Sequence, residues 1–214
     1  MSARQLFYVP GTASLAPHMT IEESGASYEL IRVRRDDDGN VVEPANYERL
    51  NPSGHVPALR DGDHVLLEAA AIVMHVSDSF PDAGLAPPHG SRARAEWYRW
   101  LSFLSGTVQV AYLCYFQPHR YATPEGQSHV TDKARSDLVE LRATAASELG
   151  EGPYVLGASF SSADLYLAMM TRWGRRTENP WWDDPTLRAH YDSILARPAI
   201  KQVWEQEGLD DDVY

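Results

Sequence analysis

Apolar positions change rhythm near residue 80. Before it, short apolar runs alternate with stretches of helical period. The run "QLFYV" (5–9) is continuous and rich in aromatic and aliphatic residues, as a buried strand requires. After Pro10-Gly11, "SLAPHMTIEESG" reads as a helix: Ser14 suits the N-cap, Pro17 sits in the first turn where its missing N–H costs little, and Gly25 stops it. "SYELIRV" is a second strand, "DDDGNV" a solvated loop, and "EPANYERL" a short helix ending at "NPSG". "VPALR", "DGD" and "HVLLE" predict strand, tight turn and strand, and "AAAIVMHVSDSF" a helix. The order is βαβ, then α, then ββα.

Residues 80–90, "FPDAGLAPPHG", are dense in proline and glycine and read as a linker. Everything beyond has helical spacing. The longest segment, "SRARAEWYRWLSFLSGTVQVAYLCYF", places Trp97, Leu101, Leu104 and Val108 on one face. "DKARSDLVELRATAASELG", "SFSSADLYLAMMTRWG", "DPTLRAHYDSILAR" and "PAIKQVWEQEG" follow. Ser161 and Asp164 make a near capping box, and that structural role accounts for both. The expected layout is an α/β domain over 1–80, a linker over 81–90 and an all-helical domain over 91–214. That layout names no function.

Composition narrows the classes. The chain is 43% hydrophobic and 23% charged, ordinary globular values. A net charge of −11 lacks the basic surface that phosphate binding needs, so nucleic acid is set aside. Cys114 has no second cysteine to pair with, which suits a reducing compartment. No apolar stretch reaches the length of a membrane span, and "MSARQLFYVPG" lacks a signal peptide's apolar run. A cytoplasmic protein without a membrane partner is expected. The eight histidines show no metal-ligand spacing, so no metal is expected.

Three separated motifs go further: "NPSGHVPAL" (51–59), "LLEAAAIVMHV" (66–76) and "FSSADLYLAMMTRW" (160–173). They resemble the soluble glutathione transferases. "FYVPGTASLAPHMTIEESG" and "ARPAIKQVWEQEGL" resemble the bacterial beta class in particular, so the likeness runs from about Leu6 to Leu209. It implies a thioredoxin-like N-terminal domain, an all-α C-terminal domain and a homodimer. Glutathione, as co-substrate, lies along the first domain; the second substrate sits between the domains, over the helical one.

The resemblance also assigns roles. Val56-Pro57 is a cis pair whose Val56 N–H and C=O meet the cysteinyl backbone of glutathione, with His55 beside it. Glu68 takes the γ-glutamyl ammonium and the Ala69 N–H its carboxylate; the serine usual at this position is absent, a loss of roughly 1 kcal/mol in binding. Ala13 stands where the beta class has cysteine, so thiol–disulfide exchange is disfavoured. Conjugation survives, because the nucleophile is glutathione's own thiol and the protein need only raise its thiolate fraction. Ser14 at the helix start is the first candidate donor, Thr12 the second and Tyr8 the third; a core aromatic is the stronger reading of Tyr8. Gln109 and Val110 replace a His-Lys pair, Ser102 replaces an asparagine, and Arg35 is the cation nearest the glycyl carboxylate. Thr12, Gln109, Tyr112, Tyr115, Phe116 and Trp173 would line a site for a hydrophobic electrophile; helical-domain core competes as a reading of each. The functional expectation is an enzyme conjugating a thiolate to such an electrophile. A glutathione-dependent isomerase and a non-catalytic binding or scaffold protein are the alternatives.

Overall fold

The computed structural model describes residues 4–36 and 39–210. Strand β1 (Arg4–Tyr8) runs through helix α1 (Leu15–Ser24) into strand β2 (Tyr28–Arg32), which pairs parallel to β1. Parallel neighbours need such a crossover helix. Strands β5 (Ala58–Asp61) and β6 (His64–Leu67) form a hairpin closed by Gly62-Asp63, and β5 pairs antiparallel to β1. The sheet order is β2-β1-β5-β6.

Period-two alternation fills both faces. Leu6 and Leu59 join Ile21 of α1 with Ile72 and Val76 of helix α3 (Ala69–Ser79) on one side. Phe7 and Ala58 join Val33 and Tyr47 on the other, the latter from helix α2 (Tyr47–Leu50). The segment read as a solvated loop is flanked by a short antiparallel pair, β3 (Arg34–Arg35) and β4 (Val41–Glu43). Asp37 and Asp38 lie outside the described residues.

The helical part comprises α4 (Arg92–Phe103), α5 (Gln109–Phe116), α6 (Gln127–Leu149), α7 (Ser162–Gly174) and α8 (Pro185–Leu195). The long segment expected as one helix is interrupted by a π turn at Leu104–Val108, which separates α4 from α5. Helix α7 is the core rod: every residue from Ser162 to Arg172 is buried. At its start Asp164 accepts the N–H of Ser161 at 2.8 Å, the N–H of Val155 at 2.7 Å and the His190 ring at 3.1 Å. The structural part expected of Ser161 and Asp164 matches these bonds.

Helix α9 (Pro198–Glu207) changes the expected partition. The chain divides into one unit of Met1–Ala86 with Ala196–Tyr214 and another of Pro87–Leu195. The C-terminal segment, expected in the helical domain, groups with the N-terminal unit. Its polar side chains explain why: Arg197 pairs with Glu23 of α1 at 2.6 and 2.8 Å, and Glu207 meets the His18 ring at 2.7 Å.

Candidate active site

Strand register gathers the expected site residues at one end of the sheet. Phe7 opposes Ala58, and Ala58 opposes Leu67. One step further along each strand come Tyr8, Pro57 and Glu68. The β1–α1 turn, the Val56-Pro57 pair and the start of α3 therefore share one edge.

The turn from Val9 to Ser14 is built by sequence-local chemistry. Pro10 and Gly11 occupy the middle of a β-turn closed by the Thr12 N–H on the Val9 carbonyl at 3.3 Å, and Gly11 takes φ +67°. Proline followed by glycine at positive φ is the type II preference. Thr12 Oγ1 donates to the Val9 carbonyl at 2.8 Å. Ser14 Oγ donates to the same carbonyl at 3.1 Å and accepts the Val9 N–H at 3.2 Å.

Both hydroxyls thus give their proton to the Val9 carbonyl, and burial is what separates them. Ser14 is fully buried and its hydroxyl is spent on Val9, so it braces the turn. Thr12 and Ala13 are half-buried and keep access to solvent. The N–H groups of Ala13 and Ser14, just ahead of α1, donate to no other described residue. Tyr8 is buried at 7% exposure beside the His18 ring. Burial, helped by the Glu207 charge and opposed by Arg32, pushes its phenol up. It is a core residue.

Val56-Pro57 is cis, as expected, and Glu43-Pro44 is a second cis pair that the sequence reading did not identify. Asn51 organises the approach: its Nδ2 and the Tyr47 hydroxyl each donate to the His55 carbonyl at 2.7 Å, and its Oδ1 accepts the Ser53 N–H at 3.1 Å. Burial raises the Tyr47 phenol to about 12, so it remains a donor. The Asx ring at Asn51 has a local signal, since asparagine two residues before serine is a recurrent turn former. With His55 held this way, Val56 is half-buried and its N–H and C=O bond no other described residue.

Glu68 stands out among these residues. It adopts φ +71° and ψ 120°, a region that side chains other than glycine rarely occupy. Holding a residue there costs of order 1–3 kcal/mol, and such strain concentrates at ligand sites. Its carbonyl accepts the Ile72 N–H at 3.0 Å, so Glu68 caps α3. The side chain is exposed and its carboxylate has no partner among the described residues. Ala69 is buried and contributes only its N–H, which the helix start leaves without an internal acceptor. Arg35 is less available than expected: its guanidinium donates to the Gly39 carbonyl at 2.6 Å and to that of Gly54.

In the helical unit the expected aromatic residues do meet. Tyr112 stacks on Phe116, Phe116 meets Tyr115 edge-on, and Trp173 meets Tyr112 edge-on. Tyr112, expected to line a substrate site, is fully buried, and burial pushes its phenol well up. It is the packed hub; Phe116 is exposed, and Tyr115 and Trp173 are half-buried around it. Gln109 accepts the Tyr166 hydroxyl at 2.5 Å, leaving its amide N–H₂ for other use. Ser102 is exposed on α4. Cys114 is half-buried, and burial holds its thiol protonated to a higher pH.

The family model described as "Glutathione S-transferase, N-terminal domain" matches residues 3–78. Glutathione S-transferase GstA of Escherichia coli O157:H7 is 30% identical over 96% of this chain and 99% of its own length. A sphingomonad glutathione S-transferase solved with glutathione is 33% identical with a TM-score of 0.81, covering 96% of this chain and 100% of that one. The beta-class enzyme of Sphingomonas chungbukensis is 31% identical, again with a TM-score of 0.81 and the same coverage.

Proposed function

The chain belongs to the glutathione S-transferase family, and from that premise we propose that it deprotonates bound glutathione and transfers the thiolate to an apolar electrophile. Glutathione is laid as an extra extended strand against Val56, whose unpaired N–H and C=O supply one antiparallel rung. Glu68 receives the γ-glutamyl ammonium, and the Ala69 N–H at the start of α3 receives the neighbouring carboxylate. The observation that carries this reading is Glu68: strained, exposed, without a partner among the described residues, and level with Pro57 in the strand register.

The sulfur is then placed over the β1–α1 turn. A free thiol with pKa about 8.5 is only a few per cent ionised near neutral pH. The Ala13 and Ser14 N–H groups favour the anion by hydrogen bonds to the charged form, and the half-buried Thr12 hydroxyl joins them by turning from the Val9 carbonyl to the sulfur. The thiol proton leaves to solvent, sulfur attacks the electrophilic carbon, a C–S bond forms and the leaving group departs with its electron pair. Tyr115, Phe116 and Trp173 supply the apolar surface for the acceptor. Ser102 and the free amide of Gln109 are further polar contacts. We extend the proposal to a homodimer in a cytoplasmic setting.

Calorimetric titration with glutathione and with S-hexylglutathione tests the binding half. Heat with both ligands, stronger for the hexyl form, is expected; no heat with either overturns the assignment. With an activated aryl chloride as acceptor, Thr12→Ala is expected to lower kcat about tenfold through loss of one thiolate donor. An unchanged kcat removes Thr12 from the chemistry.

A further inference from the structure

The segment between α7 and α8, residues 175–184, sends one ring into the core of the Pro87–Leu195 unit. Trp181 opens a short 3₁₀ turn (Trp181–Asp183) and is wholly shielded from solvent. Its indole N–H finds no acceptor among the described residues, so shape rather than a hydrogen bond accounts for its place. Two side chains of α6 hold the segment down: Arg142 donates to the Pro180 carbonyl at 3.1 Å, and Arg135 pairs with Glu178 at 3.0 Å. Trp181 lies against Tyr112, with ring centroids 5.6 Å apart and planes at 52°. Gly174 permits that approach, since a Cβ there would stand 2.6 Å from Trp181 Cβ and 2.5 Å from Tyr112 Oη. Tyr112 is thus backed on one side and, in a close-packed core, has no slack to turn. The accessible rings take their orientation from it. Phe116 stacks on Tyr112 at 11° between planes and 6.1 Å, and Trp173 stands edge-on to Tyr112 at 77° and 6.0 Å. Tyr115 stands edge-on to Phe116 at 87° and 5.0 Å. The exposed Phe116 ring and the half-buried Tyr115 ring therefore make a right-angled aromatic corner.

We propose that Trp181 is a positioning residue for the acceptor surface, and that the corner it sets selects flat aromatic electrophiles over aliphatic ones. This rests on the proposed function, which puts the acceptor against Tyr115, Phe116 and Trp173. A flat ring stacked on Phe116 stands perpendicular to Tyr115. Offset stacking and edge-on contact are the two arrangements that ring quadrupoles favour. An alkyl chain gains buried area at the same place but nothing from the angle between the rings. Trp181 touches no substrate in this scheme and acts through Tyr112.

A matched pair of probes reads the selection: S-benzylglutathione carries a flat ring and S-hexylglutathione an alkyl chain on the same tripeptide. Both are titrated calorimetrically into the full chain. Wild type is expected to bind the benzyl form at least as tightly as the hexyl form. Trp181→Leu removes the ring behind Tyr112 and is expected to weaken the benzyl form about three- to tenfold while the hexyl form stays within about twofold. Trp181→Phe, which keeps a ring there, should return the benzyl form to within about twofold of wild type. In turnover with an activated aryl chloride, the KM for that acceptor should rise in Trp181→Leu while kcat and the KM for glutathione hold. Should Trp181→Leu fail to fold, Arg142→Met, which frees Pro180 without opening the core, is expected to shift the benzyl-to-hexyl ratio in the same direction. Equal losses for the two probes, or no loss for either, overturn this role alone, as does a wild type that prefers the hexyl form. A wild type that binds neither probe nor glutathione overturns the proposed function and this role together.

Discussion

Four side chains show how a residue's task depends on what surrounds it. Ser14 and Thr12 carry the same functional group two residues apart. Both donate to the Val9 carbonyl, but burial confines Ser14 to that task and leaves Thr12 with solvent access. Arg35 is a free cation in the sequence and a staple between the Gly39 and Gly54 carbonyls in the fold. Glu68 runs the other way, because its backbone is strained and its carboxylate unspent. If the strain is kept for binding, Glu68→Gly separates the two terms. It should raise unfolding stability by about 1 kcal/mol, read from urea midpoints, because glycine tolerates this φ. Glutathione affinity should fall at least tenfold, since a charge-assisted bond of about 1.5–3 kcal/mol is lost. A variant that gains stability and loses no affinity would mark Glu68 as decoration.

Among the elements, α7 gives the sharpest stability prediction. It is buried along nearly its whole length, and its last residue, Gly174, is where the aromatic hub closes. A Cβ at Gly174 would lie 2.5 Å from Tyr112 Oη and 2.6 Å from Trp181 Cβ. Gly174→Ala should therefore cost about 2–3 kcal/mol, visible as a lowered thermal midpoint, because neither ring has room to retreat in a packed core. An unchanged midpoint would mean that the hub is looser than these distances imply. Elements with strong local codes were legible in the sequence: the Ser161–Asp164 cap, the Pro10-Gly11 turn and the Gly25 stop. The π turn at Leu104–Val108 was not, since apolar spacing is nearly continuous across it.

For the molecule as a whole, chain order and spatial grouping part company at residue 196. Helix α9 belongs by contact to the unit that holds the β1–α1 turn, although it follows the entire helical unit in sequence. Deleting everything after Leu195 removes Glu207 and Arg197 from their partners Gly11, His18 and Glu23. Amide exchange across α1 and the preceding turn should then approach that of an unprotected chain. The Trp97–Ser162 core of the other unit, whose indole N–H bond spans 3.2 Å, should keep its protection. Retained protection in α1 would show that the unit closes without α9.

The sequence by itself determined the βαβ and ββα runs, the helical run beyond residue 90 and the family, and it singled out Val56, Pro57, Glu68 and Ala69 for the glutathione contacts proposed above. These follow from local periodicity, turn chemistry and contiguous motifs, whose physical basis is short-range. Only the tertiary structure decided which hydroxyl stays accessible, that Tyr112 is packed core, that Arg35 is already engaged, and that Glu207 reaches Gly11 across 196 positions. Burial and long-range hydrogen bonding are properties of the assembled fold, so no window of neighbouring residues carries them.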